Sequence, residues 1–370
     1  MESIFIKAIK IKQVRHLKDM VIELDEKEKK HLLLTGKNGS GKTSLLKAIK
    51  YALYTEIQTT NPPLTDLITY IQLNIDDGSG YSSFFEGNFV LAYFQAKRQT
   101  NIRIPDGIKK TNLKEVNEIQ DLLSPNFIQY LVNLKAEKSF AIEDGDTKTA
   151  KFIDQWFSKF EKHLKNIFED PNLELIFDRK EYNFYFQLGN GNKVTINELS
   201  DGYSAIMNII TELILRMEKK RPLFYDMQGI VLIDEIEAHL HIDLQKKILP
   251  LLIDFFPNIQ FIIATHSPFV LSSHKDCIIY DLEKKLRIED ATAYSYDALV
   301  ESFFGSDKYS IQLQKKVDEY EKLAFKQKKS NEEINQFLDL KAYFERVSTD
   351  FAPELAVKLQ QIKLARLTND

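Results

Sequence analysis

The sequence predicts an α/β fold, a mixed β-sheet flanked by helices, and three observations carry that prediction. A complete P-loop, Gly36-Lys37-Asn38-Gly39-Ser40-Gly41-Lys42-Thr43, links an apolar run at residues 32–34 to a helix-compatible stretch at 44–54. Strands at 230–233, 260–264 and 277–280 are interleaved with helical stretches at 200–216 and 240–255. Ile230-Val231-Leu232-Ile233 is wholly apolar, and such strands between helices imply a sheet covered on both faces.

The remaining elements follow in order. Residues 4–11 and 20–24 alternate with period 2 around the polar stretch 15–19, which reads as a hairpin or paired strands ahead of the P-loop strand. The charged run 25–30 is a solvated turn. Asn61-Pro62-Pro63 breaks the chain, 76–80 marks a loop, and 88–95 reads as a strand. Apolar residues then recur at helical spacing from 113 to 169, with Phe152, Ile153, Trp156, Phe157, Phe160 and Leu164 on one face; this predicts a helical insert at about 108–170. Strands return at 173–178, 182–188 and 194–196. Beyond Tyr296 the chain is charged and helical, at 311–326 and 332–347. Leu313, Val317, Tyr320 and Leu323 share a helix face there, which suits core packing first and partner docking second.

At 370 residues the chain can bury a substantial core. No apolar run approaches the ~20 residues that span a bilayer, and residues 1–12 lack a secretory apolar core, so the expected location is the cytoplasm, with no membrane partner. The single cysteine, Cys277, excludes an intramolecular disulfide and reads as a buried structural thiol. A net charge of −4 gives no whole-molecule field for nucleic acid.

The P-loop chemistry explains its residue types. Polyphosphate lies against bare backbone N–H groups at a helix N-terminus, where orphan donors and the helix dipole favour an anion. Gly36, Gly39 and Gly41 keep Cβ atoms out of that cradle, and Lys37, Asn38, Ser40 and Ser44 complete the loop. Lys42 is spaced to reach the β- and γ-phosphates, and the Thr43 hydroxyl to ligate Mg²⁺.

Three further stretches add chemistry. Ile230 to Ile233 ends in Asp234-Glu235, a Walker B pattern in which Asp234 faces Mg²⁺ or its water shell and Glu235 orients or deprotonates the attacking water. Leu199-Ser200-Asp201-Gly202 precedes a helix about 34 residues before Asp234; Ser200 can cap that helix, or its hydroxyl and the Gly202 amide can meet a γ-phosphate. His266 ends a strand about 31 residues after Glu235, where a neutral imidazole can donate one hydrogen bond to a γ-phosphate.

Together these residues resemble the ABC-type ATPase heads of the SMC, RecF and double-strand-break-repair class. Within it, Leu-Ile-Asp-Glu-Ile-Glu-Ala-His-Leu-His at 232–241, then Gln245, and Phe-Pro-Asn-Ile-Gln-Phe-Ile-Ile-Ala-Thr-His-Ser-Pro at 256–268 are similar to ATPases of bacterial anti-phage systems. Those are the Septu ATPase, often retron-associated, and the ATPase half of overcoming-lysogenization-defect nucleases. The resemblance implies an ABC-type head over 1–300 and a helical C-terminal extension over 301–370. It places a Q-loop ligand for Mg²⁺ or water at Gln95 and the D-loop at 237–241, with His239 singled out. The signature departs from transporters at Asp201 and Tyr203. About 155 residues between Thr43 and Leu199 are too few for an SMC coiled coil, and about 70 after residue 300 leave no room for a Toprim nuclease.

The same resemblance implies that one chain carries half of each ATP site, so that a homodimer or higher homo-oligomer encloses two nucleotides. It further implies control of a separately encoded effector, a nuclease favoured to be of HNH type, with a retron reverse transcriptase and its ncDNA as further partners. The alternative is a RecF-like DNA-repair ATPase that binds DNA itself, with Lys97, Arg98, Arg103, Lys109 and Lys110 lining a groove.

Overall fold

The computed structural model describes residues 4–55, 70–75, 84, 86–98, 101–111, 113–304, 311–326, 328–346, 355, 357, 359–362 and 364. Asn61-Pro62-Pro63 and the loop at 76–80 lie outside them. The chain forms two compact units, Met1–Phe304 and Gly305–Asp370. Among the described residues no helix is long and apolar enough to cross a membrane.

The N-terminal alternation forms a hairpin of β1 (Ile6–Val14) and β2 (Leu17–Glu23), paired through Ile9↔Ile22 and Ile11↔Met20. Its turn is tighter than the expected 15–19, because Leu17 is buried and already belongs to the second strand. β3 (His31–Thr35) leads through the P-loop into α1 (Lys42–Leu53). β4 (Tyr70–Ile75), not anticipated, pairs with the free side of β1. β5 (Phe89–Phe94) matches the strand expected at 88–95.

The insert is helical only from residue 124, where a 3₁₀ turn at Ser124–Asn126 leads into α2 (Phe127–Glu143) and then α3 (Thr147–Phe168). Residues 113–123 are irregular, where helix was expected. A buried ion pair accounts for the difference: Glu212 accepts from the Leu123 and Ser124 amides at 2.7 Å each, while Arg216 donates to the Glu118 and Asp121 carbonyls. The loop's backbone groups find partners without a helix. In α3 the predicted apolar face is buried except for Phe152, which is 38% exposed and leans on Phe224. β6 (Glu174–Asp178), β7 (Asn183–Gln187) and β8 (Lys193–Thr195) form a separate antiparallel sheet.

The chain then runs through α4 (Asp201–Glu218), β9 (Gln228–Ile233), α5 (Ile242–Phe255), β10 (Ile259–Ala264), the short α6 (Pro268–Leu271), β11 (Cys277–Asp281), β12 (Leu286–Glu289) and the short α7 (Tyr296–Leu299). The central sheet has the order β12-β11-β3-β10-β9-β5, all parallel except β12. Its inner strands are apolar over most of their length because successive residues enter different cores. Leu32, Leu34, Ile230 and Leu232 face the hairpin and α1, while Leu33, Val231 and Ile233 face the helical side. Cys277 is buried there as expected, and burial pushes its thiol pKa up.

In the second unit, α8 (Ile311–Phe325) and α9 (Asn331–Arg346) pair around Val317, Tyr320, Leu323, Phe337, Leu340 and Phe344. The apolar face of α8 is therefore core within its own unit, with Tyr320 stacked on Phe337 at 5.0 Å.

Candidate functional site

Because β5, β9, β10 and β3 are adjacent and parallel, the loops leaving their carboxyl ends share one sheet edge, the usual ligand position in open α/β sheets. That edge gathers Gln95 after β5, Asp234 and Glu235 after β9, His266 after β10 and the P-loop after β3. The pairing Phe94↔Ile233 sets Gln95 laterally beside Asp234, and the Gln95 side chain is exposed.

The P-loop turns on glycines in the left-handed region, with Gly36 at φ 129, Gly39 at 84 and Gly41 at 101. A Cβ on Gly36 would lie 2.9 Å from the Ser40 hydroxyl, and one on Gly41 would lie 3.1 Å from Leu17. α1 has no side-chain cap and no acid in its first turn, so its N-terminus is free to face an anion. Lys42 is buried and its ammonium donates to the Gly36 and Lys37 carbonyls at 2.8 and 3.1 Å, and to Ser40 Oγ at 3.4 Å. Burial lowers its pKa, against the raising effect of Glu237, Glu235 and Asp234. Lys37 and Asn38 are exposed, Lys37 paired with Glu283 at 3.1 Å, and Ser44 is half-buried. A cleft of about 440 Å³ adjoins the loop, lined by His16, Leu17, Lys37, Asn38, Leu282 and Glu283 among others.

Thr43 Oγ1 donates to Asp234 Oδ1 at 3.1 Å across 191 residues of sequence. Asp234 is 4% exposed, and burial raises its pKa against the opposing hydrogen bond from Thr43. Among the described residues no group of three or more His, Cys, Asp or Glu side chains could hold a metal ion. The hydroxyl and carboxylate are hard oxygen donors, and a pair of them suits Mg²⁺ completed by phosphate oxygens and water. Glu235 is half-buried and strained at φ 48. Burial, and then the Lys42 charge, depress the His266 pKa, which favours neutral imidazole.

Two side chains that shape this edge are not apparent from the sequence. Glu237 accepts from Thr265 Oγ1 at 2.7 Å and from the His266 amide, so a carboxylate three residues after Asp234 fixes the backbone that carries the imidazole. Burial raises its pKa. Arg98, expected in a DNA-binding groove, is 5% exposed and turned inward onto backbone carbonyls at residues 95 and 234–236. Lys109 of the same expected groove is paired with Asp106. Arg98 therefore does not face solvent with the other bases of that groove, of which Lys97, Arg103, Lys109 and Lys110 are exposed.

Ser200 stands at the N-cap of α4, but its hydroxyl makes no capping bond and the residue is exposed. Gly202 is buried against the expected D-loop: a Cβ there would meet the His239 carbonyl oxygen at 2.9 Å. His239 itself is exposed at φ 66. The hydrogen bonds described for Lys42, Thr43 and Asp234 do not include Ser200 or Gly202.

Known proteins place the chain. It is 27% identical over 385 residues to the Septu protein PtuA of Bacillus mycoides (strain KBAB4), covering 93% of this chain and 51% of that protein. It is 29% identical over 213 residues to the Retron Ec83 probable ATPase of Escherichia coli, covering 54% and 37% respectively. The chain thus spans about half the length of the first relative and just over a third of the second. Among solved structures, an Smc head bound to the C-winged helix domain of ScpA matches at 14% identity and TM-score 0.44, covering 78% of this chain and 99% of that one. The likeness to Septu and retron ATPases read from the motifs is borne out by these relatives. Residues 32–272 match the family model described as "AAA domain, putative AbiEii toxin, Type IV TA system", and the chain belongs to that family.

Proposed function

We propose that the chain binds ATP with Mg²⁺, hydrolyses it, and is joined by ATP to a second copy of itself. The observation that carries this reading is the meeting, on one sheet edge, of a phosphate-reaching lysine, a hydroxyl–carboxylate pair, a second acid and a neutral imidazole from separate stretches of sequence. Lys42 exchanges its carbonyl partners for β- and γ-phosphate oxygens. Thr43 and Asp234, with Gln95 alongside, would hold Mg²⁺, which when bound neutralises the charge that builds on the transferring phosphoryl group. Glu235 accepts the proton of the attacking water. His266 donates to the γ-phosphate, and Glu237 keeps it aimed. The adjoining cleft has the position and volume to take base and ribose.

The uncapped Ser200 hydroxyl and the α4 N-terminus then act on the nucleotide held by the partner copy. In the cell we assign the chain to an anti-phage defence complex, controlling a separately encoded nuclease effector, with HNH type favoured; the likeness to Septu and retron ATPases supports this assignment. The test is phosphate release by purified chain with ATP and Mg²⁺, together with nucleotide-dependent co-purification of a nuclease when the neighbouring reading frames are co-expressed with the chain. Release lowered by about 10²- to 10³-fold in Glu235→Gln is expected; release unchanged in that variant would overturn the assignment of Glu235.

A further inference from the structure

The local sequence around Arg98 is that of a surface base, yet its side chain crosses to a turn 136–138 residues away. Nη1 donates to the Gln95 carbonyl at 2.9 Å and the Asp234 carbonyl at 2.7 Å; Nη2 donates to the Glu235 carbonyl at 2.8 Å and the Ile236 carbonyl at 3.3 Å. Three successive carbonyls can converge on one guanidinium only where the chain curls around it, and Glu235, in the middle, takes the left-handed φ of 48. A planar fork of fixed geometry can hold such a set, whereas an ammonium on a flexible stem cannot. The β5–β9 ladder ends with the Asp234 amide donating to the Phe94 carbonyl at 2.9 Å, and just beyond it the same guanidinium ties the Gln95 carbonyl to the turn after β9. The remaining donor, Nε, is buried without a partner, so the guanidinium is committed to this turn at some cost.

We propose that Arg98 is a positioning residue for hydrolysis: its guanidinium holds the Asp234–Ile236 turn and the Gln95 backbone in one register, and thereby fixes the Glu235 carboxylate relative to the metal-side oxygens of Thr43 and Asp234. It touches neither nucleotide nor water. This rests on the ATPase reading above.

The consequence separates binding from turnover. Lys42 and the P-loop amides bind phosphate without help from Arg98, while proton removal by Glu235 depends on placement, where an error of about 1 Å can cost roughly 10²-fold in rate. In the full chain, Arg98→Lys should keep ATP·Mg affinity within about threefold of wild type and lower kcat by about 10- to 100-fold. Arg98→Met, which keeps much of the stem and removes every donor, should lower kcat further with affinity again held. Wild-type kcat in Arg98→Lys would overturn this proposal alone. Affinity falling in step with kcat, or failure of both variants to fold, would make Arg98 an ordinary structural residue and overturn it as well. Wild-type protein that binds ATP and releases no phosphate would overturn the ATPase reading, and this proposal with it.

Discussion

At the amino ends of β3 and β10, two buried polar side chains, His31 and Gln260, bond to backbone groups. Gln260, fully buried, accepts from the Ile6 amide at 2.8 Å and donates to the Ile6 and Lys30 carbonyls at 2.9 and 2.8 Å. His31 accepts from the Phe261 amide at 3.1 Å and packs on its ring. At the carboxyl ends of the parallel strands the buried or half-buried groups are ionisable: Lys42, Asp234, Glu237 and Arg98, with burial pressing each toward its neutral form. Neutral groups bonded to backbone are buried at little net cost, whereas charged ones cost several kcal/mol each unless paired. Between β3 and β10 the amino end therefore holds the fold together, and the carboxyl end keeps a costly arrangement of the kind found at active sites.

Variants at the two ends should separate stability from nucleotide chemistry. Lys42→Ala has the largest expected effect: ATP affinity falls at least about 10³-fold, close to 4 kcal/mol, while the melting temperature holds or rises because a desolvated ammonium is gone. Titration calorimetry beside thermal melting checks both; a lower melting temperature with intact affinity would break the contrast. Glu235→Gln should lower kcat by about 10²- to 10³-fold with ATP affinity retained, as expected for a lost general base. At the opposite end, Gln260→Leu leaves three backbone groups without their partner and should cost about 2–4 kcal/mol of stability. Urea unfolding measures that cost, and ATP affinity of the folded fraction should not move.

A further effect is on pH dependence. Burial holds the His31 pKa down at about 3 against 6.5 when unfolded. Between those values the unfolded chain binds the proton that the folded chain refuses. This group's stabilising effect is thus complete above pH 6.5 and is lost as pH falls toward 3, at up to about 1.4 kcal/mol per pH unit. His31→Phe should flatten the stability-versus-pH slope below 6.5 by close to one proton, and an unchanged slope would show that His31 is not the group responsible.

Much of this contrast was legible in the sequence where its signals are local. The P-loop is eight contiguous residues, and the central strands announce themselves because Leu32, Leu33 and Leu34 all enter a core, on alternating sides. The Walker B acids and His266 stand at strand ends, so their convergence follows once the strands are parallel neighbours. What stayed hidden is long-range. Arg98 gives the same local signal as a solvated base, and only the β5–β9 pairing turns it inward. Glu237 reads as one more acid until Thr265 and His266 arrive from 28 and 29 residues away. Residues 113–123 carry helical spacing, but Glu212 and Arg216 of α4 claim their backbone. β4 pairs with β1 across an intervening helix, a partnership no short window contains.

In the proposed function, Lys42 is one jaw of a clamp whose other jaw, Ser200 with the α4 N-terminus, belongs to a second copy. Glu235→Gln protein, which should hold ATP without spending it, tests this by light scattering. The mass should double with ATP and Mg²⁺, stay at the starting value with ADP, and fail to double when Ser200→Arg is added. A mass indifferent to ATP would contradict the clamp.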